Sequence, residues 1–271
     1  MRLLVTRDPD NEAAKVFALL AHPVRKKSLN LAVGCLDSEK VSVVLWVTDL
    51  RGLPPDALEP FREHPLCRVF LASSATVDDG EEYARWLRAG ASEILLPGMA
   101  QEQLKHRMRW AVDGLAEPDP GILVPVFVPG PVYLLTPYRP RHLETMEKWV
   151  KPALHYAGYQ GVLIRDVDHL SIRKAENHMA QECSFAIAHM GKDDPPEPIH
   201  NPRVHAEIRT LVNNDKLVIG IRDSSEAEIK LPGDVLDINC HHFDSEPELT
   251  RWLYKILTKA RPNAASGATH Y

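Results

Sequence analysis

No two cysteines of this chain are close neighbours: Cys35, Cys67, Cys183 and Cys240 are scattered through 271 residues with no Cys-x-x-Cys pair. That spacing supports neither a disulfide framework nor a zinc ribbon, and free thiols of a reducing compartment are expected instead. Long apolar runs are also missing. No segment reaches membrane-spanning length, and the short run after Met1 gives way at once to Thr6-Arg7-Asp8, so neither a signal peptide nor membrane association is expected and the cytoplasm is the default. Charge of one sign is lacking too. A net charge of −5, with 32 Lys and Arg dispersed along the chain, leaves no footprint for nucleic acid. What is present is a hydrophobic content of 44%, enough for real cores in one large or two ordinary domains.

Proline punctuates the middle. Ala116-Glu117-Pro118-Asp119-Pro120-Gly121, followed by Pro125, Pro129 and Pro131, disfavours helix and favours an extended segment. The spacing predicts a domain over residues 1 to 115, a Pro-rich linker over 116 to 131, a second domain over 132 to 260 and a disordered tail over 261 to 271. In the first domain, apolar runs at 2 to 6, 41 to 47, 67 to 72 and 93 to 96 alternate with helical patterns at 10 to 21, 79 to 89 and 100 to 114. In the second, strands are expected at 132 to 136, 161 to 164, 183 to 189, 216 to 221 and 235 to 238. Helices are expected there at 140 to 157, 171 to 182, 202 to 213 and 246 to 259. Alternation of this kind predicts α/β architecture, with two flavodoxin-like, doubly wound parallel-sheet domains.

The segment Asn201-Pro202-Arg203-Val204-His205-Ala206-Glu207-Ile208 stands between two strand patterns. Asn201 can cap the orphan amides of a helix start, and Pro202 has the φ of its first position. Glu207 then sits about a turn into a helix rising from the carboxyl edge of the sheet, where open α/β folds place ligands. It is either an acid favoured by the helix dipole or a carboxylate positioned for chemistry on a sugar. His200 and His205 do not stand at a metal-like helical spacing from a second ligand, His241 and His242 would point to opposite faces of a strand, and no metal is expected.

In the first half, Val43-Val44-Leu45-Trp46-Val47-Thr48-Asp49-Leu50 and the stretch from Ala84-Arg85-Trp86-Leu87 to Leu95-Leu96-Pro97 resemble response-regulator receiver domains. The resemblance implies that Asp49 is the phosphoacceptor position. Leu96, however, occupies the place of the family's phosphate-binding lysine, and Asp8, with Asp10 nearby, is all that remains of its magnesium acids. Phosphoryl transfer relies on such electrostatic positioning. A degenerate receiver serving dimerisation or docking is the resulting expectation, and with it a homo-oligomer.

In the second half, Val132-Tyr133-Leu134-Leu135-Thr136-Pro137-Tyr138, the helix through Trp149 to Ala157, the Asn201 to Ile208 segment and Asp215-Lys216-Leu217-Val218-Ile219-Gly220-Ile221 resemble TIR-like and nucleoside 2-deoxyribosyltransferase-like domains. This implies cleavage of an N-glycosidic bond in a nucleotide or nucleoside. NAD⁺ is implied as substrate, not cofactor, and Glu207 faces the positive charge that develops on the ribose. A protein that senses the nucleotide without cleaving it is the alternative. The implied context is signalling or bacterial defence. Thr136, Tyr138 and Arg139 follow the first strand and are candidates for phosphate or ribose, or form a solvated basic loop. Asp166 and Asp168 follow the second strand and either bind the substrate or cap the next helix. His189 and Asn201 complete the candidate substrate contacts. The family's usual acid and glycines are replaced by Asp193-Asp194-Pro195-Pro196-Glu197, in a loop that is either a lid or a surface excursion.

Overall fold

The computed structural model describes residues 1–36, 41–54, 56–62, 64, 67–115, 130–167, 171–191, 202–226 and 240–259. The chain divides into two compact units, Met1–Asp78 with Glu82–Asp119, and Asp79–Glu81 with Pro120–Tyr271. Of the linker expected over 116 to 131, residues 116 to 129 lie outside the described residues, as does the expected tail, while Pro131 already belongs to the first strand of the second unit.

The first unit runs β1 (Arg2–Val5), α1 (Glu12–Ala21), β2 (Val24–Lys26), α2 (Leu29–Val33), β3 (Val43–Thr48), α3 (Glu59–Arg62), β4 (Arg68–Ser73), α4 (Gly80–Ala89), β5 (Glu93–Leu95) and α5 (Gln101–Val112). All strands are parallel, in the order β2-β1-β3-β4-β5. Strand β3 is buried from Val43 to Val47, the continuous apolar run that a parallel sheet covered on both faces requires. Successive side chains alternate between faces, so Leu4, Leu45, Phe70 and Leu95 share one core with Val16 and Phe17 of α1 and Leu104 and Met108 of α5. Two elements escape the apolar pattern. Strand β2 is a three-residue edge whose Val24 and Arg25 are exposed, and α2 is only five residues long.

The second unit repeats the plan. It runs β6 (Pro131–Leu135), α6 (Pro140–Thr145), α7 (Lys151–Ala157), β7 (Gln160–Leu163), α8 (Ile172–Glu182), β8 (Phe185–His189), α9 (Pro202–Asn213), β9 (Val218–Asp223), β10 (Cys240–Phe243) and α10 (Glu246–Lys259). Its parallel strands lie in the order β7-β6-β8-β9-β10, the same 2-1-3-4-5 arrangement counted from β6. Helices α6 and α7 are joined by a π-helical stretch, Met146–Val150, just before Pro152, which has no N–H to give to an ordinary helical ladder. The single helix expected over 140 to 157 is therefore one rod with a widened middle turn. Gly158, at φ 83°, ends it in the left-handed conformation that glycine adopts without strain.

One face of this sheet buries Val132, Leu134, Ile187 and Ile219 against Val150, Leu154 and Leu253. The other buries Tyr133, Leu135, Ala186 and Ala188 against Met179, Val204 and Ile208, under α8 and α9. The fifth strand is Cys240–Phe243, whereas the strand expected at 235 to 238 lies outside the described residues.

Candidate functional site

The alternation of β6 decides what lies beneath α9. Tyr133 and Leu135 point to the α8 and α9 side, and Tyr133 is 1% exposed, so its phenol has to find a partner inside the protein. That partner is Glu207: the Tyr133 hydroxyl donates to its Oε2 at 2.5 Å. Arg203, one helical turn earlier on α9, donates through Nε to the other carboxylate oxygen, Oε1, at 3.0 Å. An (i, i+4) spacing puts these two side chains on one stripe of the helix. The same guanidinium bonds Glu176 on α8, through Nε at 3.1 Å and a terminal nitrogen at 2.6 Å, and lies 4.5 Å from the centre of the Tyr138 ring. Tyr133, Glu207, Arg203 and Glu176 thus form one network between the sheet and two helices.

The electrostatics follow from burial. Glu207 has 14% of its side chain exposed. Burial raises its carboxyl above the usual range, and Glu176 adds to this, while the Tyr133 hydrogen bond and the Arg203 charge pull in the opposite direction. The Tyr133 phenol is pushed upward, first by burial and then by the Glu207 carboxylate, so it stays protonated and donates. Glu207 is a carboxylate held in one orientation, with proton affinity higher than that of a solvated acid.

Two spaces adjoin it. At the carboxyl edge of the sheet is a cavity of about 20 Å³, walled by Thr136, Tyr138, Ile164, Arg203 and Glu207. That is room for roughly one water. On the other side, between α8 and α9, a groove of about 340 Å³ is lined by Tyr133, Arg173, Glu176, Asn177, Glu207 and Thr210. Its volume falls within the ~300–1,000 Å³ of small-molecule sites.

The structure brings Thr136 and Tyr138 together with Glu207 but places three other candidates elsewhere. Asp166 accepts the Leu163 amide at 2.9 Å and the Lys151 ammonium at 2.7 Å, which commits it to the turn after β7. Arg139 is in the walls of neither space. His189 closes a wholly buried strand, stacks on His142 with ring centres 4.4 Å apart and meets Phe243 in a T-shaped contact. Its ring belongs to the core rather than to either space. Burial lowers the proton affinity of both histidines. Asp168 and Asn201 lie outside the described residues.

Sequence reasoning does not single out Tyr133 or Glu176. Strand alternation marks Tyr133 as facing the same side as α9, but nothing local marks Glu176, whose contact depends on how α8 packs beside α9. In the first unit, Asp49 is exposed at the end of β3, and its Oδ1 accepts the Arg51 amide at 3.1 Å. Asp8 likewise spends one oxygen on the Asp10 amide at 3.1 Å. Among the described residues, no group of three or more His, Cys, Asp or Glu could hold a metal ion, and no helix is long and apolar enough to cross a membrane.

The fold and its edges define an α/β protein made of two flavodoxin-like sheets. No family model and no curated protein matches the sequence. Among solved structures the chain is similar to a CheY-like protein, TadZ, from Pseudomonas aeruginosa, at 17% identity over 44% of this chain and 95% of that one, with a TM-score of 0.34. It is also similar to an orphan response regulator of H. pylori, at 16% identity over 41% of this chain and 96% of that one, with a TM-score of 0.32.

Proposed function

We propose that this is a regulatory protein whose first domain is a degenerate receiver and whose second domain binds a nucleotide or nucleoside beside Glu207 and cleaves its N-glycosidic bond. NAD⁺, cut between nicotinamide and ribose, is the substrate that the TIR-like resemblance suggests. The observation that carries the reading is the Glu207 carboxylate itself. It is largely buried and clasped by Tyr133 and Arg203 at the carboxyl edge of a sheet of this topology. As the bond to the base breaks, its electron pair leaves with the base and positive charge grows on the ribose; water then supplies the hydroxyl at the anomeric carbon, and its remaining proton passes to solvent or to the departing base. A fixed anion facing that carbon lowers the barrier.

A second reading, ligand sensing without cleavage, is favoured by the Arg203 pair. Both carboxylate oxygens are engaged and the edge cavity holds about one water, so a substrate entering at that edge requires Arg203 and Tyr138 to swing aside.

The test is to incubate the protein with NAD⁺ and a panel of nucleosides and to follow base release by chromatography, comparing wild type with Glu207→Gln. Cleavage predicts base release that falls by about 10³-fold or more in the variant, the scale of losing a principal transition-state electrostatic group. Release that survives the substitution removes Glu207 from the chemistry. Binding without release establishes the sensing reading.

A further inference from the structure

The first domain has its own opening at the carboxyl edge, where the chain leaves β1 and β3. This cleft of about 410 Å³ is lined by Arg7, Asp8, Lys27, Ser28, Thr48, Asp49 and Ser74. It lies at the topological switch point, the place where open α/β sheets bind ligands. Its chemistry differs from that of a phosphoacceptor pocket. Arg7 and Lys27 are both exposed and neither forms an ion pair among the described residues, although Asp8 and Asp49 line the same cleft. Each of those acids directs one oxygen to a backbone amide of its own turn, leaving the second to accept from a ligand.

We infer that this cleft binds a phosphorylated sugar without covalent transfer. Arg7 and Lys27 would hold the phosphate by charge-assisted hydrogen bonds, with Ser28, Thr48 and Ser74 donating to its remaining oxygens. Asp8 and Asp49, which would repel a bare anion, instead accept from the sugar hydroxyls. The mixed lining therefore selects a molecule that carries phosphate at one end and hydroxyls at the other. The volume suits a ligand of that size. Such a site gives the degenerate receiver a metabolite as its input, in place of phosphorylation at Asp49.

Calorimetric titration of the full chain with ribose 5-phosphate, ribose and inorganic phosphate tests this, using wild type, Arg7→Gln, Lys27→Gln and Asp49→Asn. All three substituted side chains are exposed, and circular dichroism checks that each variant is folded. The expected result is binding of ribose 5-phosphate in preference to either fragment, weakened about tenfold or more by Arg7→Gln and by Lys27→Gln. Asp49→Asn should weaken ribose 5-phosphate while sparing inorganic phosphate. The inference is overturned by absence of binding, by affinity unchanged in both cation variants, or by equal affinity for the sugar phosphate and inorganic phosphate. It is also overturned if acetyl phosphate converts Asp49 to an acyl phosphate detectable by intact-mass analysis, since the cleft would then be an acceptor site.

Discussion

The two domains share one topology and build the carboxyl edge of the sheet in opposite ways. In the first, the edge is an open cleft with exposed acids and cations, its acids pinned only to their own turns. In the second, the edge is nearly filled, and its one central acid is tied to a strand and, through Arg203, to a neighbouring helix. The fold supplies the place and the side chains supply the chemistry. An open edge can be altered at little cost to the fold, whereas a closed one couples any change of function to stability.

The buried charge of the first domain lies away from its ligand edge, and there the largest loss of stability is expected. Glu93 is fully buried and meets Arg107 at 3.1 Å, with the Tyr83 hydroxyl at 3.4 Å. Arg107→Ala removes the cation beside this buried carboxylate, which costs about 3–5 kcal/mol when a buried ion pair is broken from one side. Urea unfolding checks this. A loss below about 1 kcal/mol, the range of a solvated pair, would mean that water reaches Glu93, and the contrast between an open edge and a tight interior would weaken.

Acid should separate the domains next. The second domain buries His142 and His189 and stacks His241 on Trp252, with ring centres 3.8 Å apart. Burial, reinforced by His242, brings His241 down to about 4 from 6.5. A base whose folded proton affinity is lowered binds fewer protons folded than unfolded. Stability from these histidines is therefore complete above about pH 6.5 and is lost as pH falls toward 4. His22 and His106 of the first domain are exposed and His64 is half-buried. Hydrogen exchange measured at about pH 7 and about pH 5, on either side of an ordinary histidine's titration, should show the second domain loosening more than the first. Equal loosening would break the comparison.

Much of this plan was legible in the sequence, and the failures have physical causes. Helix α9 runs from Pro202 to Asn213, as expected, and the apolar stripe Val204, Ile208 and Leu211 fixes its face. Strand β2 escapes the hydrophobic pattern because Val24 and Arg25 are exposed on an edge that buries no apolar face. Strand β10 reads as Cys-His-His-Phe, with only Phe243 buried, so the pattern points to 235 to 238 instead. At the site, the pairing of Arg203 with Glu207 is within reach of helical spacing. The role of His189 is not: the last residue of the apolar strand Phe185–His189 reads equally as a cleft residue or a core residue, and the stacking on His142 decides for the core.

The smallest effects concern the two edge acids and compare them directly. Tyr133→Phe removes the hydroxyl that donates to Glu207, a largely buried carboxylate, and should cost about 1–2 kcal/mol, the penalty of a buried acceptor left short. Asp49→Asn retains a side-chain oxygen able to accept the Arg51 amide, in an exposed turn where water can solvate whatever changes. The loss there should stay within about 0.5 kcal/mol, since asparagine caps about as well as aspartate. Urea midpoints for the two variants, measured together at about neutral pH where the histidines are fully stabilising, put a number on how differently the domains hold the same edge. Equal losses would mean that the Tyr133 hydroxyl is already replaced by water, and that the second domain opens its edge as freely as the first.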